Sequence, residues 1–281
     1  PDASLRTFVA PITVAQVAAA IGPGLARQTL AGRLDGQLVD ACELITRDAD
    51  LQIITPADPE GLDIIRHSCA HLLGHALKQL YPGARMVIGP VIEDGFYYDF
   101  DLPAPPTEED LKWVEKRMKK IIGGNHPFVM REVTPEEARE IFADQPYKLE
   151  LIDDLVNGRV DENGQQIAEP ASRLTIYQQD KFVDLCRGPH VESTKAIDPK
   201  AISITYKMPA GAYWRGDEKR PQLTRIYGTA WESAEDMQDY LRRLEEARRR
   251  DHRVVGELKR RGLSPVMLTG DNEAAAAAIG G

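Results

Sequence analysis

The spacing of apolar and polar positions predicts a small unit of mixed helices and strands over the first 57 residues. Thr13 precedes the apolar stretch VAQVAAAIG, which ends at Gly22, so a helix is predicted with a threonine N-cap. GRLDGQLVD alternates on both sides of an Asp35-Gly36 pair, the pattern of a tight hairpin. LRTFVA and ADLQIITP are further strand candidates. Because this unit holds no acid–base constellation, we expect it to bind or dock.

After a predicted linker, PADPEG, the pattern changes to longer helices interspersed with strands. HSCAHLLGHALKQL is apolar over much of its surface, and TEEDLKWVEKRMKKII and TPEEAREIFA each begin with a threonine cap. VIGPVI, GFYYDFD, ISITYKM, AYWRG and LTRIYGTAW are strand candidates, and a long charged helix is predicted after Trp231. Polar residues 157–172 are predicted to form a variable loop. Helices and strands mix without regular βαβ alternation, which favours an α+β fold.

Composition limits the class of protein. The 281 residues are 42% hydrophobic and 28% charged, as in globular proteins, and contain no run of the roughly 18 apolar residues that a membrane span needs. Without a signal-peptide pattern, and with only three scattered cysteines, a cytoplasmic protein with reduced thiols is expected. The net charge of −9 argues against a polyanionic partner, although residues 242–261 carry nine Lys or Arg against four acids.

One constellation suggests chemistry. His67, His71 and His75 are each four residues apart, so a helix places them on one face. More than a hundred residues later, DLCRGPHV contains Cys186 and His190, again four apart. One histidine–histidine pair and one cysteine–histidine pair together offer the four ligands that tetrahedral zinc needs. The sequence has no HExxH motif of a metalloprotease. A cysteine nucleophile and a set of polar groups that position a water for ester hydrolysis are equally compatible with these residue types.

Several long segments resemble one family. HSCAHLLGHALKQLYPGARMVIGPVIEDGFYYDFD, PYKLELIDD, DLCRGPHV, GAYWRGD and RIYGTAWE resemble the N-terminal half of bacterial threonyl-tRNA synthetases. IGPGLARQTLAGRLDGQLVDACELI resembles the TGS domain of that family, a ubiquitin-like β-grasp module. The resemblance runs from residue 1 to about residue 256 and brings tRNA into consideration. It implies four regions: a TGS domain at 1–60, an editing domain of the threonyl/alanyl type at 61–228, a charged linker helix at 229–262 and a tail of unclear origin at 263–281.

The resemblance also implies an activity and a set of residues. In this family the second domain hydrolyses serine wrongly attached to the threonine tRNA. The matching catalytic positions are His71, Lys148, Asp184 and Cys186, and the expected substrate-binding positions are His75, His190, Tyr97, Trp214 and Arg215. His67 is a possible supporting residue. Related alanyl editing domains can hold zinc at the corresponding quartet, here His71, His75, Cys186 and His190, whereas the threonyl type implies water activation without a metal or other cofactor.

The expected partner is the acceptor end of tRNA(Thr) carrying serine, and the full-length enzyme is expected to be a homodimer through other domains. The class II aminoacylation motifs do not occur in these residues, so we expect no synthesis of threonyl-tRNA. The tail segment VMLTGDNEAAAAAI instead resembles a hinge of P-type ATPases, without their DKTG motif. Three alternatives stay open: a freestanding trans-editing deacylase, a non-catalytic tRNA-binding module, and a zinc hydrolase acting on a small molecule.

Overall fold

The structure is a computed structural model that describes residues 4–8, 11–160, 166–208 and 213–260. The predicted tail from residue 263, with its ATPase-like segment, lies outside these ranges, as do residues 161–165 of the predicted loop. Residues up to Met237 form one compact unit, and the chain from Gln238 belongs to a second. Each unit is described by itself.

The N-terminal region consists of short elements, as its pattern predicts. In chain order they are β1 (Ile12–Thr13), α1 (Val14–Ile21), α2 (Pro23–Gln28), β2 (Ala31–Leu34), β3 (Gln37–Asp40), β4 (Leu44–Ile45) and β5 (Leu51–Ile54). Thr13 caps α1 in a reciprocal capping box with Gln16. Asp35 and Gly36 both have positive φ, which suits the tight turn between β2 and β3. The strand predicted at LRTFVA is wrong over residues 5–8, which are irregular; residues 9–10 are outside the described ranges.

A 22-residue helix, α3 (Pro59–Leu80), is the centre of the structure. It begins inside the predicted linker, because Pro59 at the first helical position is compatible with a helix start. The elements that follow it are β6 (Arg85–Met86), β7 (Val91–Ile92), β8 (Gly95–Asp101), α4 (Glu108–Gly123), β9 (Val129–Val133), α5 (Pro135–Ile141) and α6 (Pro146–Asn157). Of the predicted strand VIGPVI, only Val91–Ile92 is a strand, β7; Val87–Pro90 is irregular and exchanges backbone hydrogen bonds with β8.

The remaining elements are β10 (Arg159–Val160), β11 (Gln166–Ala168), β12 (Leu174–Gln179), β13 (Phe182–Leu185), β14 (Ile202–Met208), β15 (Thr224–Ala230) and α7 (Ala234–Arg260). They add strands to the large sheet, form a second sheet with β9, and include a separate strand pair, β10-β11, inside the loop predicted at 157–172. The segment AYWRG, predicted as a strand, instead forms a 3-10 turn at Trp214–Gly216, in which Arg215 has a positive φ of 56°. No helix in the described ranges has both the length and the apolar character needed to span a bilayer.

All sheet pairings are antiparallel, and the fold is α+β, as predicted. The larger sheet has the order β14-β15-β8-β6 with β7 also on β8, the second is β13-β12-β9, and the N-terminal sheet is β3-β2-β5. The main core is formed by the apolar side of α3, by α4 and by inward residues of the large sheet, among them Leu72, Leu73, Leu77, Phe96, Phe100, Met118 and Ile226. This packing fixes α3 firmly, so its histidine face has a defined direction.

Candidate active site

Three parts of the chain meet at the histidine face of α3. The β12–β13 hairpin places Asp184 in β13, where strand alternation turns it inward together with Phe182. Cys186 is the first residue after β13, and the loop that follows brings His190 back onto α3. The loop is attached there by Ser68, whose Oγ lies 3.1 Å from His190 Nδ1 and accepts from the Val191 N–H at 3.1 Å.

The side chains that converge are those of His67, His71, Cys186 and His190. One nitrogen or sulfur atom from each lies within 4.8 Å of the others. Cys186 Sγ is 3.1 Å from His67 Nε2 and 3.4 Å from His190 Nε2. The rings of His71 and His190 have centroids 4.2 Å apart, and the ring of Phe128 stacks on His190 at 4.8 Å. A four-spaced histidine pair of α3 therefore meets the Cys186–His190 pair.

The helix contributes a different histidine pair from the one predicted. His75 lies outside the group: its Nε2 is 2.9 Å from the side-chain amide nitrogen of Gln79, and its ring stacks on Phe182 at 5.6 Å. Eight residues separate His67 from His75, which is about 12 Å along a helix axis. The loop from Cys186 to His190 lies at the His67 end of that face. Because Ser68 anchors the loop, His67 completes the group and His75 does not.

A second polar cluster adjoins the first through Asp184. Lys148, from α6, has its Nζ 2.5 Å from Asp184 Oδ1, and the Tyr98 hydroxyl donates to Asp184 Oδ2 at 2.6 Å. The Leu185 N–H donates to Oδ1 at 2.8 Å. Asp184 Oδ2 also lies 3.8 Å from His71 Nε2. This carboxylate is therefore already hydrogen-bonded on both oxygens, and it links the lysine to the histidine group.

The aromatic and arginine positions predicted to bind substrate lie elsewhere. Strand alternation puts Tyr97 on the other face of β8 from Tyr98, with its ring beneath the Arg225 guanidinium at 3.8 Å. Tyr98 is thus the tyrosine in contact with the site, instead of Tyr97. Trp214 is 7% exposed, and its indole N–H donates to Glu150 at 3.0 Å.

Arg215 pairs with Asp154 at 2.8 Å and with Glu150 at 3.6 Å. Both acids belong to α6, the helix that carries Lys148. In this arrangement Trp214 and Arg215 hold the outer side of α6. Their contact with a tRNA end stays a prediction.

Burial decides the protonation of the group. It lowers the pKa of His71 to about 3 and holds that of His190 well below the ordinary 6.5. Burial, with a smaller contribution from the negative charge of Asp184, raises the pKa of Cys186 to about 12. Burial is the largest single influence on Asp184 and raises its pKa, but the Lys148 ammonium, His71 and the Tyr98 hydroxyl together lower that pKa below its usual value. At neutral pH the group therefore consists of neutral imidazoles and a thiol beside a carboxylate–ammonium pair.

The four converging side chains also fit a tetrahedral metal ion. Zinc with ligands at about 2.3 Å for sulfur and about 2.0–2.1 Å for nitrogen places these atoms roughly 3.5 Å apart, close to the 3.1 Å and 3.4 Å separations around Cys186. The metal would be held by His67, His71, Cys186 and His190, so His67 replaces His75 in the predicted quartet. In addition, His71 Nδ1 is buried without a hydrogen-bond partner among the described residues. A water, a substrate atom or a metal could satisfy it.

A cleft opens on the Lys148 side of this site. Its volume is about 190 Å³, below the ~300–1,000 Å³ typical of small-molecule pockets. Lys148 and Asp184 contribute to its wall, together with Lys78, Met86, Ile141, Phe142, Asp144, Gln145, Lys181, Phe182 and Val183. The cleft therefore suits a small polar group close to the buried ion pair.

Comparison with known proteins identifies the family. Residues 1–55 match the TGS domain, and residues 174–227 match the threonyl and alanyl tRNA synthetase second additional domain. The chain is also 48% identical over 259 residues to a threonine–tRNA ligase of Acinetobacter baumannii (strain SDF). In sequence, the chain therefore corresponds to the N-terminal region of a threonyl-tRNA synthetase. The match covers 92% of this chain and 38% of that relative.

The matched regions divide the site in an informative way. Asp184, Cys186 and His190 lie within the second additional domain as matched, whereas the α3 histidines and Lys148 lie before it. The synthetase region thus builds its polar group from the hairpin of that domain and from the preceding helices α3 and α6. His67 and Tyr98, which the sequence did not single out as catalytic, join the group through packing.

Proposed function

We propose that this region proofreads tRNA(Thr) by hydrolysing the ester bond of seryl-tRNA(Thr). One observation carries the proposal: in a chain similar to threonyl-tRNA synthetases, His67 and His71 of α3 meet the Asp184–His190 segment at a polar site beside a small cleft. Homology to the second additional domain supports a proofreading role. The serine-charged substrate and the individual residue roles are part of the proposal.

The proposed reaction is attack by a positioned water molecule. An aminoacyl ester needs only an oriented water and stabilisation of the developing oxyanion, because its carbonyl is already activated. His71 is neutral at pH 7, and its unpartnered Nδ1 offers a hydrogen-bond acceptor that orients the water; the proton that the water loses passes to the ribose oxygen that leaves. Lys148 supplies the positive charge for the oxyanion, and Asp184 with Tyr98 holds its ammonium in place. Cys186 and His190 contact the substrate on the side of the site opposite Lys148.

A covalent route through Cys186 has less support. Its pKa of about 12 keeps the sulfur protonated at neutral pH, and the thiolate is the nucleophilic form. The negative charge of Asp184 further disfavours ionisation. We therefore assign Cys186 to substrate contact through its thiol.

Selection against threonine would be steric. Serine and threonine differ by one methyl group, and a binding pocket distinguishes such a pair by only about 1–3 kcal/mol. A second site that admits the smaller amino acid and excludes the larger one multiplies that discrimination. The narrow cleft beside Lys148 is compatible with such a sieve.

The test is to follow loss of the amino acid from seryl- and threonyl-tRNA(Thr), with and without a chelator. We expect selective release of serine that a chelator does not change, and loss of that release in His71→Ala. Chelator-sensitive release would assign the same four side chains to a zinc ion and contradict water activation by the residues alone. Binding of the tRNA without any serine release would contradict the enzyme and leave a tRNA-binding module.

Binding of the tRNA should be measured beside serine release because α7 has a basic segment. A helix rich in arginine adds affinity for a phosphate backbone whether or not the site is active. A trans-editing protein would show the same chemistry as a region of a ligase, so the assay tests the reaction and leaves the biological arrangement to other experiments.

A further inference from the structure

The N-terminal domain reaches into the site through one carboxylate. Asp40 is the last residue of β3 in the TGS domain. Its Oδ1 accepts a hydrogen bond from the backbone N–H of His190 at 3.0 Å, and its Oδ2 accepts one from the Tyr177 hydroxyl at 2.5 Å. One side chain thus joins the first domain to the loop and to the strand β12 of the second.

Tyr177 is itself part of the wall around that loop. Its side chain is buried, and its ring meets the ring of His190 edge-on with centroids 4.5 Å apart. Gly188 lies directly over the Tyr177 hydroxyl, where a Cβ would collide with it, and has a positive φ of 65°. The segment from Cys186 to His190 therefore folds closely around this hydroxyl, and Asp40 fixes the hydroxyl from the other side.

The position of His190 depends on contacts from both domains. From α3, Ser68 contacts the imidazole Nδ1 and the backbone of Val191. From the TGS domain, Asp40 accepts from the backbone N–H of His190. Together these contacts direct His190 Nε2 towards Cys186 Sγ, 3.4 Å away. If Asp40 were removed, a half-buried N–H and a buried hydroxyl would both lose an acceptor, and the loop would be free to shift.

We propose that Asp40 is a positioning residue of the editing site, by which the TGS domain sets the placement of His190 and Cys186. The inference rests on the proposed function for its activity readout. Asp40 differs from a simple docking contact because both of its oxygens bind groups next to the imidazole. Oδ1 binds the backbone N–H of His190, and Oδ2 binds the hydroxyl of Tyr177, whose ring contacts the His190 ring. The charge of Asp40 also acts on the site: after burial, it is one of the contributions that raise the pKa of Cys186.

The chain offers a matched control for domain docking. Arg33, in β2 of the TGS domain, pairs with Glu60 in the first turn of α3 at 2.5 Å. This contact also joins the sheet of the TGS domain to α3 but touches none of the converging side chains. Arg33→Met removes it and keeps the aliphatic part of the side chain.

The experiment compares Asp40→Ala, Asp40→Asn and Arg33→Met in the full chain. For seryl-tRNA(Thr) deacylation we expect Asp40→Ala to lower kcat by about 10- to 100-fold with KM within about twofold, because a misplacement near 1 Å is sufficient for that loss. Asp40→Asn keeps an oxygen acceptor for the His190 N–H and should restore most of the rate. Arg33→Met should resemble the wild type.

A second readout does not use activity. Hydrogen exchange at the backbone amide of His190 should become faster in Asp40→Ala and stay unchanged in Arg33→Met. An active wild type with equal kcat in Asp40→Ala, or equal losses in Asp40→Ala and Arg33→Met, overturns the positioning role. If the wild type releases no serine, the proposed function fails, and the exchange data decide the positioning: unchanged exchange overturns it, and faster exchange supports it.

Discussion

Replacing Lys148 by methionine tests the polar network at its most buried point. Lys148 and Asp184 are 2% and 3% exposed, and the two charged atoms are 2.5 Å apart. Methionine fills most of the lysine volume without its charge, so Lys148→Met leaves the carboxylate of Asp184 buried without a cation. Removing one partner of a buried ion pair costs about 3–5 kcal/mol of folding stability.

The neighbours of Asp184 reduce this cost but do not remove it. The Tyr98 hydroxyl and the Leu185 N–H continue to donate to the carboxylate, so we expect the lower end, about 3 kcal/mol. For a domain of 150–250 residues this corresponds to a Tm lower by roughly 6–12 °C. Adding Asp184→Asn removes the unpaired charge and keeps an oxygen acceptor for Tyr98. The double variant should therefore regain most of the lost stability, to within about 4 °C of the wild type.

The assay is thermal unfolding of the full chain, followed by circular dichroism, for the wild type, both single variants and the double variant. Lys78→Met is the control, since Lys78 lines the same cleft but pairs with the exposed Asp144 at 3.7 Å, a contact worth at most about 1 kcal/mol. A Tm for Lys148→Met equal to that of the control would refute the reasoning. So would a double variant whose loss equals the sum of the two single losses. If the reasoning holds, the double variant is folded and does not release serine.

Three further predictions concern the histidines and the thiol. His67→Asn should lower serine release by about 100-fold and His75→Asn by less than about threefold, because of these two histidines His67 is the one that contacts Cys186; equal losses in parallel assays would contradict that distinction. No covalent seryl adduct should be found by acid quench and mass spectrometry, since the pKa of Cys186 is raised to about 12, and an adduct would restore the nucleophile hypothesis. Burial lowers the pKa of His71 to about 3 and that of His190 well below 6.5, so below pH 6.5 the unfolded chain binds protons that the folded chain does not. The free energy of unfolding should then fall as the pH falls from about 6.5 to about 4, by up to about 1.4 kcal/mol per pH unit for each histidine; urea titrations measure the slope, and a flat curve would be the contrary result.

The sequence predicts that a histidine pair of this helix meets the Cys186–His190 pair and assigns His71 and His75, whereas the structure brings His67 and His71 together with it. His67, His71 and His75 have the same spacing and share one helix face, so the pattern is equally compatible with either adjacent pair. The choice depends on where the loop docks, and Ser68 decides that through contacts across more than a hundred residues. Such contacts leave no trace in local periodicity.

The same limit applies to Tyr98 and Asp40. Alternation in GFYYDFD places Tyr98 with Phe96 and Phe100 and Tyr97 with Asp99 and Asp101, so it indicates which tyrosine faces the core. It does not indicate the hydrogen bond from Tyr98 to Asp184, 86 residues later in the chain. Asp40 ends an ordinary hairpin, and its contact to His190 joins residues 150 apart in the chain. Helix caps were predictable because they are local, as the threonine caps of α1, α4 and α5 show.

The burial that assembles this site also restricts its chemistry. Imidazoles with lowered pKa values and a thiol with a raised one carry no charge at neutral pH, so neither a thiolate nor an imidazolium is available. The charge at the site resides in the Lys148–Asp184 pair, which is fixed by Tyr98. A site of this kind acts mainly by placing a water and an ester correctly. Its rate should then depend on every contact that holds the Cys186–His190 loop, which is why a carboxylate from another domain can matter to the reaction.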